Sequence, residues 1–242
     1  MDLKKMMKQA QEIQGRMQQM QEDLAGLEVE GQSGGGLVKV TLNGKLEARG
    51  LKIDPSLIKP EEADADTREV YAEVVKQWGR ISNFSQVLAH QPAALRGWML
   101  PNASIRLDNV KSDPDYVRIQ QLVIIKTSAL NGSAYCMSHN VPLARKLGLS
   151  QAQVEAAQGD DYMSSSALDE RQKAALRWAE AVTLMRARDD DDAFAAMRKH
   201  FSEKQIVELT VFCGMWNYSN RLCEALHVDL ERPEQRIAFQ ER

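Results

Sequence analysis

The sequence predicts a mainly α protein, in which an all-helical domain is preceded by a long helix and a small antiparallel β-sheet of α+β character. Apolar residues recur in steps of three and four along residues 3–27, as in a heptad seam. Two alternating strand patterns then meet at Asn43-Gly44, which is a strong hairpin signal. From Glu61 onward the apolar spacing is helical and strand signals are absent, which favours an all-α domain.

The first helix carries a narrow apolar seam, with Asp2 as its predicted cap and polar residues on the other faces. The seam consists of Leu3, Met6, Ala10, Ile13, Met17, Met20, Leu24 and Leu27. A seam this narrow needs another helix against it. We expect the same helix of a second subunit there, and packing against the chain's own body is the alternative.

The small sheet is predicted from alternation and turn signals. Residues 27–30 form a short strand candidate, and residues 32–36 are Gly-rich and predicted to be a flexible loop. A two-residue turn at Asn43-Gly44 connects a strand over 37–42 to its partner over 45–53. The apolar phase of the returning strand changes at Gly50, which predicts a bulge there. Prolines near residue 60 end the sheet, so we expect a dimerisation segment over 1–60, an acidic linker or helix start over 61–69, and a helical domain over 70–242.

Helix signals then follow one another to the end of the chain. Capping boxes at Ser150 and Ser202 each open a helix, and Asp113-Pro114 opens another. The acidic run Asp189–Asp192 is interpreted as a solvated helix start. Helices are predicted over 67–78, 83–89, 93–107, 113–131, 133–148, from 150, over 167–186 and over 206–228, the last of them central.

Composition and charge argue against several classes of protein. The 242 residues carry a net charge of −3, and residues 1–60 carry nine basic and eight acidic residues, so a strongly basic nucleic-acid binder is not indicated. The longest aliphatic run, Leu122–Ile125, is too short to span a membrane, and the N-terminus lacks an apolar secretory core. Three cysteines form no even disulfide framework. We therefore expect a cytoplasmic protein without membrane association.

The sequence suggests a catalytic site at one stretch, LNGSAYCMSHN over residues 130–140. Ser133 is a good N-cap, so Cys136 falls in the first helical turn, where free N–H groups and the helix dipole favour a thiolate. His139 follows three residues later on the same helical face. A thiol of lowered pKa beside an imidazole is a typical nucleophile. The alternative is a buried cysteine that serves packing alone.

The N-terminal segment resembles the YbaB/EbfC family of nucleoid-associated proteins. The resemblance lies in LKKMMKQAQEIQGRMQQMQEDL at 3–24, GLVKVTLNG at 36–44 and LKIDPSLI at 51–58, and it fades after Pro60. It implies a helix-plus-sheet unit that dimerises and, in that family, binds DNA. DNA is therefore a possible partner of residues 1–60.

Residues from about 70 to 232 resemble the carboxymuconolactone decarboxylase and alkyl hydroperoxidase D (AhpD)-like family. The carrying stretches are VVKQWGRISNFSQVLAH at 74–90, LVIIKTSALNGSAYCMSHN at 122–140 and IVELTVFCGMWNYSNRLCEALHV at 206–228. The resemblance implies an all-helical domain that assembles into dimers, trimers or hexamers. Its peroxidase members use a Cys-x-x-Cys pair, with a histidine four residues after the pair and a glutamate twelve before it.

Matched to that pattern, Cys136 corresponds to the peroxide-attacking thiol, and Tyr135 before it is common among the relatives. Ser133 stands at the first cysteine's position and Gln121 at the glutamate's. Asn140 stands at the histidine's position, with His139 one residue early. Since serine cannot close a disulfide, oxidised Cys136 would need an external thiol reductant, or Cys213 or Cys223 if the fold brings them near. The outer carboxylate of the relay is missing from its expected place, and too few ligands are present for zinc.

Three hypotheses follow. The first is a thiol-dependent peroxidase-like oxidoreductase that needs no cofactor or metal and acts on a small peroxide. Cys136 is its nucleophile, His139 its base, and Tyr135 and Gln121 are polar neighbours. A lactone substrate, with His139 as proton donor, is a less favoured variant. The second is a non-catalytic oligomeric helical module, and the third is DNA binding through the N-terminal segment.

Overall fold

The structure is a computed structural model, and it describes residues 3–33, 38–53 and 63–231. The chain divides into two compact units, Met1–Lys59 and Pro60–Arg242. Within the described residues the first unit contains one helix and a three-stranded sheet, and the second contains helices without strands. The predicted mainly α class with a small antiparallel sheet is confirmed.

The first unit begins with helix α1, Leu3–Gly26, followed by strands β1, Glu28–Ser33, β2, Val38–Asn43, and β3, Ala48–Ile53. The strands are antiparallel in the order β1-β2-β3. Strand β1 includes residues 32 and 33, which were predicted to be loop, because both continue the pairing with β2. The rest of that predicted loop lies outside the described residues.

The connection between β2 and β3 is longer than predicted. Leu42 pairs with Ala48, so four residues, Gly44–Glu47, separate the strands, and the predicted two-residue turn is wrong. The Asn43 side-chain oxygen accepts hydrogen bonds from the backbone N–H groups two and four residues later, at 3.0 and 2.9 Å. These bonds stabilise the wider loop.

The irregularity predicted at Gly50 is present beside it. Thr41 pairs with Gly50 while Leu42 pairs with Ala48, so Arg49 is the additional residue on β3. This two-against-one pairing is a β-bulge.

Gly44 holds the end of α1 against the hairpin. Its N–H donates to the carbonyl oxygens of Leu24 and Leu27, at 2.8 and 2.9 Å. A Cβ atom at Gly44 would lie 2.7 Å from the Leu24 oxygen, so only glycine allows this approach.

The described half of the α1 seam faces outward. Met17, Met20, Leu24 and Leu27 are 58, 61, 39 and 54% exposed. Asp2 and the side chains of the earlier seam residues lie outside the described part of the chain. Dimerisation along this seam therefore stays a prediction, and the exposed residues are where it would occur.

In its described part, residues 63–231, the second unit contains ten further helices and short helical turns. They are α2 Ala65–Trp78, α3 Asn83–Leu88, α4 Pro92–Pro101, α5 Asp108–Ser112, α6 Pro114–Leu130, α7 Ala134–Lys146, α8 Gln151–Gln158, α9 Glu170–Thr183, α10 Asp191–His200 and α11 Glu203–Ala225. The helix predicted over 93–107 ends at Pro101 and continues as a π-helical turn, Asn102–Leu107. Proline removes one backbone donor, which favours such a change in the hydrogen-bond ladder.

Local start signals were predicted well. Ser150 and Ser202 form complete capping boxes, and Asp113 caps α6 with Pro114 in its first turn. Asp190 caps α10, so the acidic run is a helix start as predicted. Asp64 caps α2, which places a helix start within the segment 61–69.

Helices α6 and α11 form the centre of the unit. Helix α11 packs against α6, α7, α9 and α10, which confirms its predicted central place. Helix α6 contributes to both apolar clusters, with Ile119 and Val123 in one and Leu122 and Ile125 in the other. Burying one such side chain stabilises the fold by about 1.5–3 kcal/mol. The start of α7 is therefore held on a rigid support.

Candidate active site

Helix α7 begins as the sequence predicts. Gly132 has a φ of +65°, which turns the chain after α6, and Ser133 is the N-cap residue in extended conformation. The Ser133 side chain makes no capping hydrogen bond, so it leaves the first-turn N–H groups to other partners. Cys136 lies in this first turn, where the helix dipole favours a thiolate.

Cys136 borders a cavity of about 120 Å³. Aromatic rings form much of its wall, contributed by Trp78, Phe84, Trp98, Tyr135 and Trp216. The reactive groups along the wall are Cys136, His139 and Cys223, accompanied by Arg80 and Arg106. The cavity has room for a few water molecules or one small organic molecule.

His139 is held by a carboxylate that the sequence analysis did not identify. Its Nε2 atom lies 2.5 Å from Oε2 of Glu231, a residue 3% exposed beyond the end of α11. The other carboxylate oxygen of Glu231 accepts hydrogen bonds from the Tyr135 hydroxyl at 2.7 Å and from the Asn83 backbone N–H at 2.9 Å. A buried carboxylate from the other end of the domain thus lies beside His139, although Gln121 stands where the family pattern has a glutamate.

Glu231 is ionised at neutral pH. Burial raises the pKa of its carboxyl group, but hydrogen bonds from His139 and Tyr135 outweigh this effect and lower the pKa to about 2. An ionised carboxylate only accepts hydrogen bonds, so Nε2 of His139 carries the proton that they share.

The second ring nitrogen of His139 is available for proton transfer. Its Nδ1 atom is buried and has no hydrogen-bond partner among the described residues. A neutral imidazole with its proton on Nε2 has a lone pair at Nδ1. Because His139 borders the same cavity as Cys136, this nitrogen can serve as a base there.

Tyr135 positions the carboxylate. Its hydroxyl donates to Glu231 and accepts a hydrogen bond from the Phe84 backbone N–H at 3.1 Å. Burial raises the pKa of Tyr135 well above its ordinary value, so the hydroxyl stays protonated. Its ring centroid is 4.8 Å from that of His139. Tyr135 therefore fixes Glu231 and the imidazole together.

Gln121 supports the site from behind and does not border the cavity. It is fully buried and donates to Asn140 Oδ1 at 3.1 Å, while Arg106 donates to its side-chain oxygen. Asn140 in turn donates to the Cys136 carbonyl oxygen at 2.8 Å. Gln121 thus anchors the first turns of α7. Burial lowers the pKa of Arg106 to about 10, which leaves its guanidinium charged at neutral pH.

The thiol of Cys136 shares the cavity with a second thiol, that of Cys223. A hydrogen bond from Cys223 is the largest influence on the pKa of Cys136, and the Ser133 hydroxyl adds to it; together they lower this pKa despite burial. The same contact, with burial, raises the pKa of Cys223. Cys213 lies elsewhere, bonded to Thr127 and Thr183, and does not border the cavity.

The sequence analysis assigned one site to Ser133, Tyr135, Cys136 and His139, which are neighbours at the start of one helix. It missed Glu231, which is 92 positions from His139 and follows the last helix. It left Cys223 and Cys213 as equal alternatives, and their positions on α11 contained no signal to separate them. Among the described residues, no group of three or more His, Cys, Asp or Glu side chains could hold a metal ion.

Family comparisons match the two units separately. Residues 1–76 match the YbaB/EbfC DNA-binding family, which extends the similarity past Pro60 into α2. Residues 117–181 match the carboxymuconolactone decarboxylase family. A nucleoid-associated protein from Bradyrhizobium sp. is 63% identical over 59 residues, which are 24% of this chain and 56% of that protein. The chain thus spans little more than half the length of this curated relative.

Solved structures match the helical domain. A peroxidase-related protein from Ralstonia eutropha, described as an alkylhydroperoxidase AhpD core, has a TM-score of 0.60 at 19% identity, covering 72% of this chain and 90% of that chain. A protein of unknown function from Agrobacterium tumefaciens has a TM-score of 0.53 at 26% identity, covering 60% of this chain and 96% of that chain. No helix in the described ranges is long and apolar enough to cross a membrane. The chain therefore joins a segment similar to the YbaB/EbfC DNA-binding family to a helical domain similar to the carboxymuconolactone decarboxylase and AhpD-like family.

Proposed function

We propose that the helical domain is a thiol-dependent peroxidase with Cys136 as its nucleophile. One observation carries this proposal. The first-turn thiol and an imidazole with a free Nδ1 atom border the same small cavity, and Glu231 holds the other nitrogen of that imidazole. A nucleophile, a base and a group that orients the base are the parts that such chemistry requires.

The reaction begins with the Cys136 thiol proton. His139 takes this proton at Nδ1, and the thiolate attacks the outer oxygen of a hydroperoxide. The O–O bond breaks, the sulfur becomes a sulfenic acid, and the leaving alkoxide receives the proton from His139 as an alcohol. Ionised Glu231 stabilises the imidazolium that exists between the two proton transfers.

The cavity favours a small, largely apolar substrate. Its aromatic wall and volume of about 120 Å³ suit hydrogen peroxide or a short organic hydroperoxide. Ligand sites for larger molecules are typically about 300–1,000 Å³.

Peroxide consumption with a dithiol donor tests this function. We expect turnover by the full chain with hydrogen peroxide or tert-butyl hydroperoxide, and loss of at least about 100-fold in Cys136→Ser, because a serine hydroxyl cannot be oxidised by peroxide to a sulfenic acid. Cys213→Ser is the matched control, since Cys213 is equally buried but lies outside the cavity. No turnover by either protein would leave a non-catalytic helical module as the better interpretation, and equal turnover by both would exclude Cys136 as the nucleophile.

DNA binding by the N-terminal unit is a second candidate function. The match to a DNA-binding family over residues 1–76 favours it, as does the exposed seam that could pair two copies. The names of the curated relatives place them at the nucleoid, in accord with the cytoplasmic location expected from the sequence. The net charge of +1 in residues 1–60 predicts modest affinity with a shallow salt dependence.

Anisotropy of a labelled DNA duplex, measured over a salt series, tests this second function. We expect binding that weakens with salt, together with a dimer by light scattering. Met17→Glu/Met20→Glu places charges in the seam and should abolish both. Gln18→Glu/Gln19→Glu adds the same charge beside the seam and serves as the control. Absence of binding at low salt would exclude this function.

A further inference from the structure

Two cysteines from distant parts of the chain meet at the cavity. Cys136 lies in the first turn of α7 and Cys223 in the last turns of α11, and these helices pack against each other. Both thiols are buried, at 6 and 3% exposure, and both border the cavity. The Cys223 thiol lowers the pKa of Cys136 and Cys136 raises that of Cys223, so the two groups are close enough to influence each other. Such a pair is placed for disulfide formation, which Ser133 cannot provide at the start of α7.

We propose that Cys223 is the resolving thiol of the site, so that peroxide converts Cys136 and Cys223 into an intramolecular disulfide joining α7 to α11. This inference rests on the proposed peroxidase function, because Cys136 must first become a sulfenic acid. It makes the domain a two-cysteine enzyme although its Cys-x-x-Cys motif is incomplete.

The chemistry of this step is balanced without a further reactant. The Cys223 sulfur attacks the Cys136 sulfenic acid, the S–O bond breaks and an S–S bond forms. The leaving hydroxide takes the thiol proton of Cys223 and departs as water. A dithiol reductant then opens the disulfide and returns both cysteines to thiols, becoming a disulfide itself.

The opposite pKa shifts of the two thiols assign them different roles. A hydrogen bond from Cys223 to Cys136 favours negative charge on Cys136 and keeps the proton on Cys223. Cys136 is therefore the first to react with peroxide. The proton kept on Cys223 is the one required by the departing hydroxide in the second step.

Cys213 is excluded as the resolving thiol by its position. It is fully buried, bonded to Thr127 and Thr183, and donates to the Ala179 carbonyl oxygen. It does not border the cavity, and no hydrogen bond joins it to either of the other two thiols among the described contacts. Cys213→Ser is accordingly the matched control for Cys223→Ser.

The test uses the reduced full chain and one equivalent of hydrogen peroxide, followed by acid quench and peptide mass spectrometry. Wild type and Cys213→Ser should form the 136–223 disulfide and lose two thiols per peroxide. Cys223→Ser should lose one thiol and accumulate a Cys136 sulfenic acid that dimedone traps. Cys223→Ala should give the same result, and circular dichroism checks that both variants fold.

Two failures are distinguishable. A Cys136 sulfenic acid that accumulates equally in wild type and Cys223→Ser would overturn the resolving role and leave the peroxidase function intact. If peroxide leaves Cys136 unoxidised, the proposed function fails; diamide, which joins neighbouring thiols without peroxide chemistry, then tests the pair alone. No 136–223 disulfide with diamide in the folded chain would overturn the pairing itself.

Discussion

Cys136 and Cys213 are both buried thiols that face hydroxyl groups, yet their surroundings favour opposite protonation states. Hydrogen bonds from Cys223 and Ser133 lower the pKa of Cys136 in spite of burial. Burial raises the pKa of Cys213 and outweighs the hydroxyls beside it. Burial by itself therefore does not decide what a cysteine does. The direction of its hydrogen bonds and the presence of a cavity decide it.

The Cys213 and Cys136 thiols also differ in the groups that surround them. Cys213 donates its own proton to the Ala179 carbonyl oxygen at 3.5 Å, which stabilises the thiol form. Cys136 instead has its pKa lowered by the Cys223 thiol and shares its cavity with an imidazole–carboxylate pair. One thiol is built into the core as a small polar side chain, while the other is arranged for ionisation.

The largest effect is expected from removing the charge that supports only the Cys136 site. Glu231→Gln should slow peroxide reduction about 10- to 100-fold, because the neutral amide no longer stabilises the His139 imidazolium. It should also shift the pH–rate profile, which a purely structural loss would not do. Glu155→Gln, on an exposed face of α8, is the control. An unchanged rate and profile in folded Glu231→Gln would show that Glu231 has no part in the reaction.

The Cys136 and Cys213 sites should also differ in how acid affects the free energy of unfolding, because Glu231 belongs to the Cys136 site. The folded pKa of Glu231, about 2, lies below its ordinary value of 4.5, so its stabilising effect is complete above pH 4.5 and is lost as the pH falls towards 2. This loss should amount to about 3 kcal/mol in the free energy of unfolding, because one pKa unit corresponds to about 1.4 kcal/mol. Urea unfolding from pH 5 to pH 2 measures it, as the excess over Glu231→Gln. Parallel curves for the two proteins would contradict the assignment.

The features that the sequence predicted correctly depend on residues close together in the chain. Capping boxes at Ser150 and Ser202, the N-cap at Ser133 and the one-turn spacing from Cys136 to His139 are all local patterns. The hairpin turn was misjudged because the Asn43 side chain competes for backbone N–H groups, a preference that the Asn-Gly signal does not reveal.

The sequence did not predict which residues far apart in the chain come together in the fold. Glu231 reaches His139 because the chain after α11 returns to the start of α3, where the Asn83 N–H holds the same carboxylate. Cys223 and Cys136 border one cavity because α11 packs against α7. Both arrangements follow from helix packing, and a single sequence contains no signal for which surfaces meet.

The order in which the thiols ionise tests the contrast between Cys136 and Cys213 directly. Thiolate absorbance near 240 nm, followed from pH 6 upward, should show a first step below the ordinary range of about 8.5 that is lost in Cys136→Ser and kept in Cys213→Ser. The pKa of Cys223 is raised, so it should not contribute to this step. A first step that survives in Cys136→Ser would mean that another thiol is the activated one.

The smallest effect is expected at the Cys213 site, where the hydroxyls serve packing alone. Thr183 bonds the Cys213 sulfur at 3.3 Å and accepts a hydrogen bond from Asn217 at 3.2 Å. Thr183→Val should lower the free energy of unfolding by about 1 kcal/mol, since Asn217 retains its bond to the Cys213 carbonyl oxygen. Peroxide kinetics should stay within about twofold of wild type, because changes outside an active site leave its barrier intact. Urea unfolding and the peroxidase assay measure the two quantities, and Thr183→Ser, which keeps the hydroxyl, is the control. A large loss of activity in folded Thr183→Val would mean that the two thiol sites are coupled through α11 and that their contrast is incomplete.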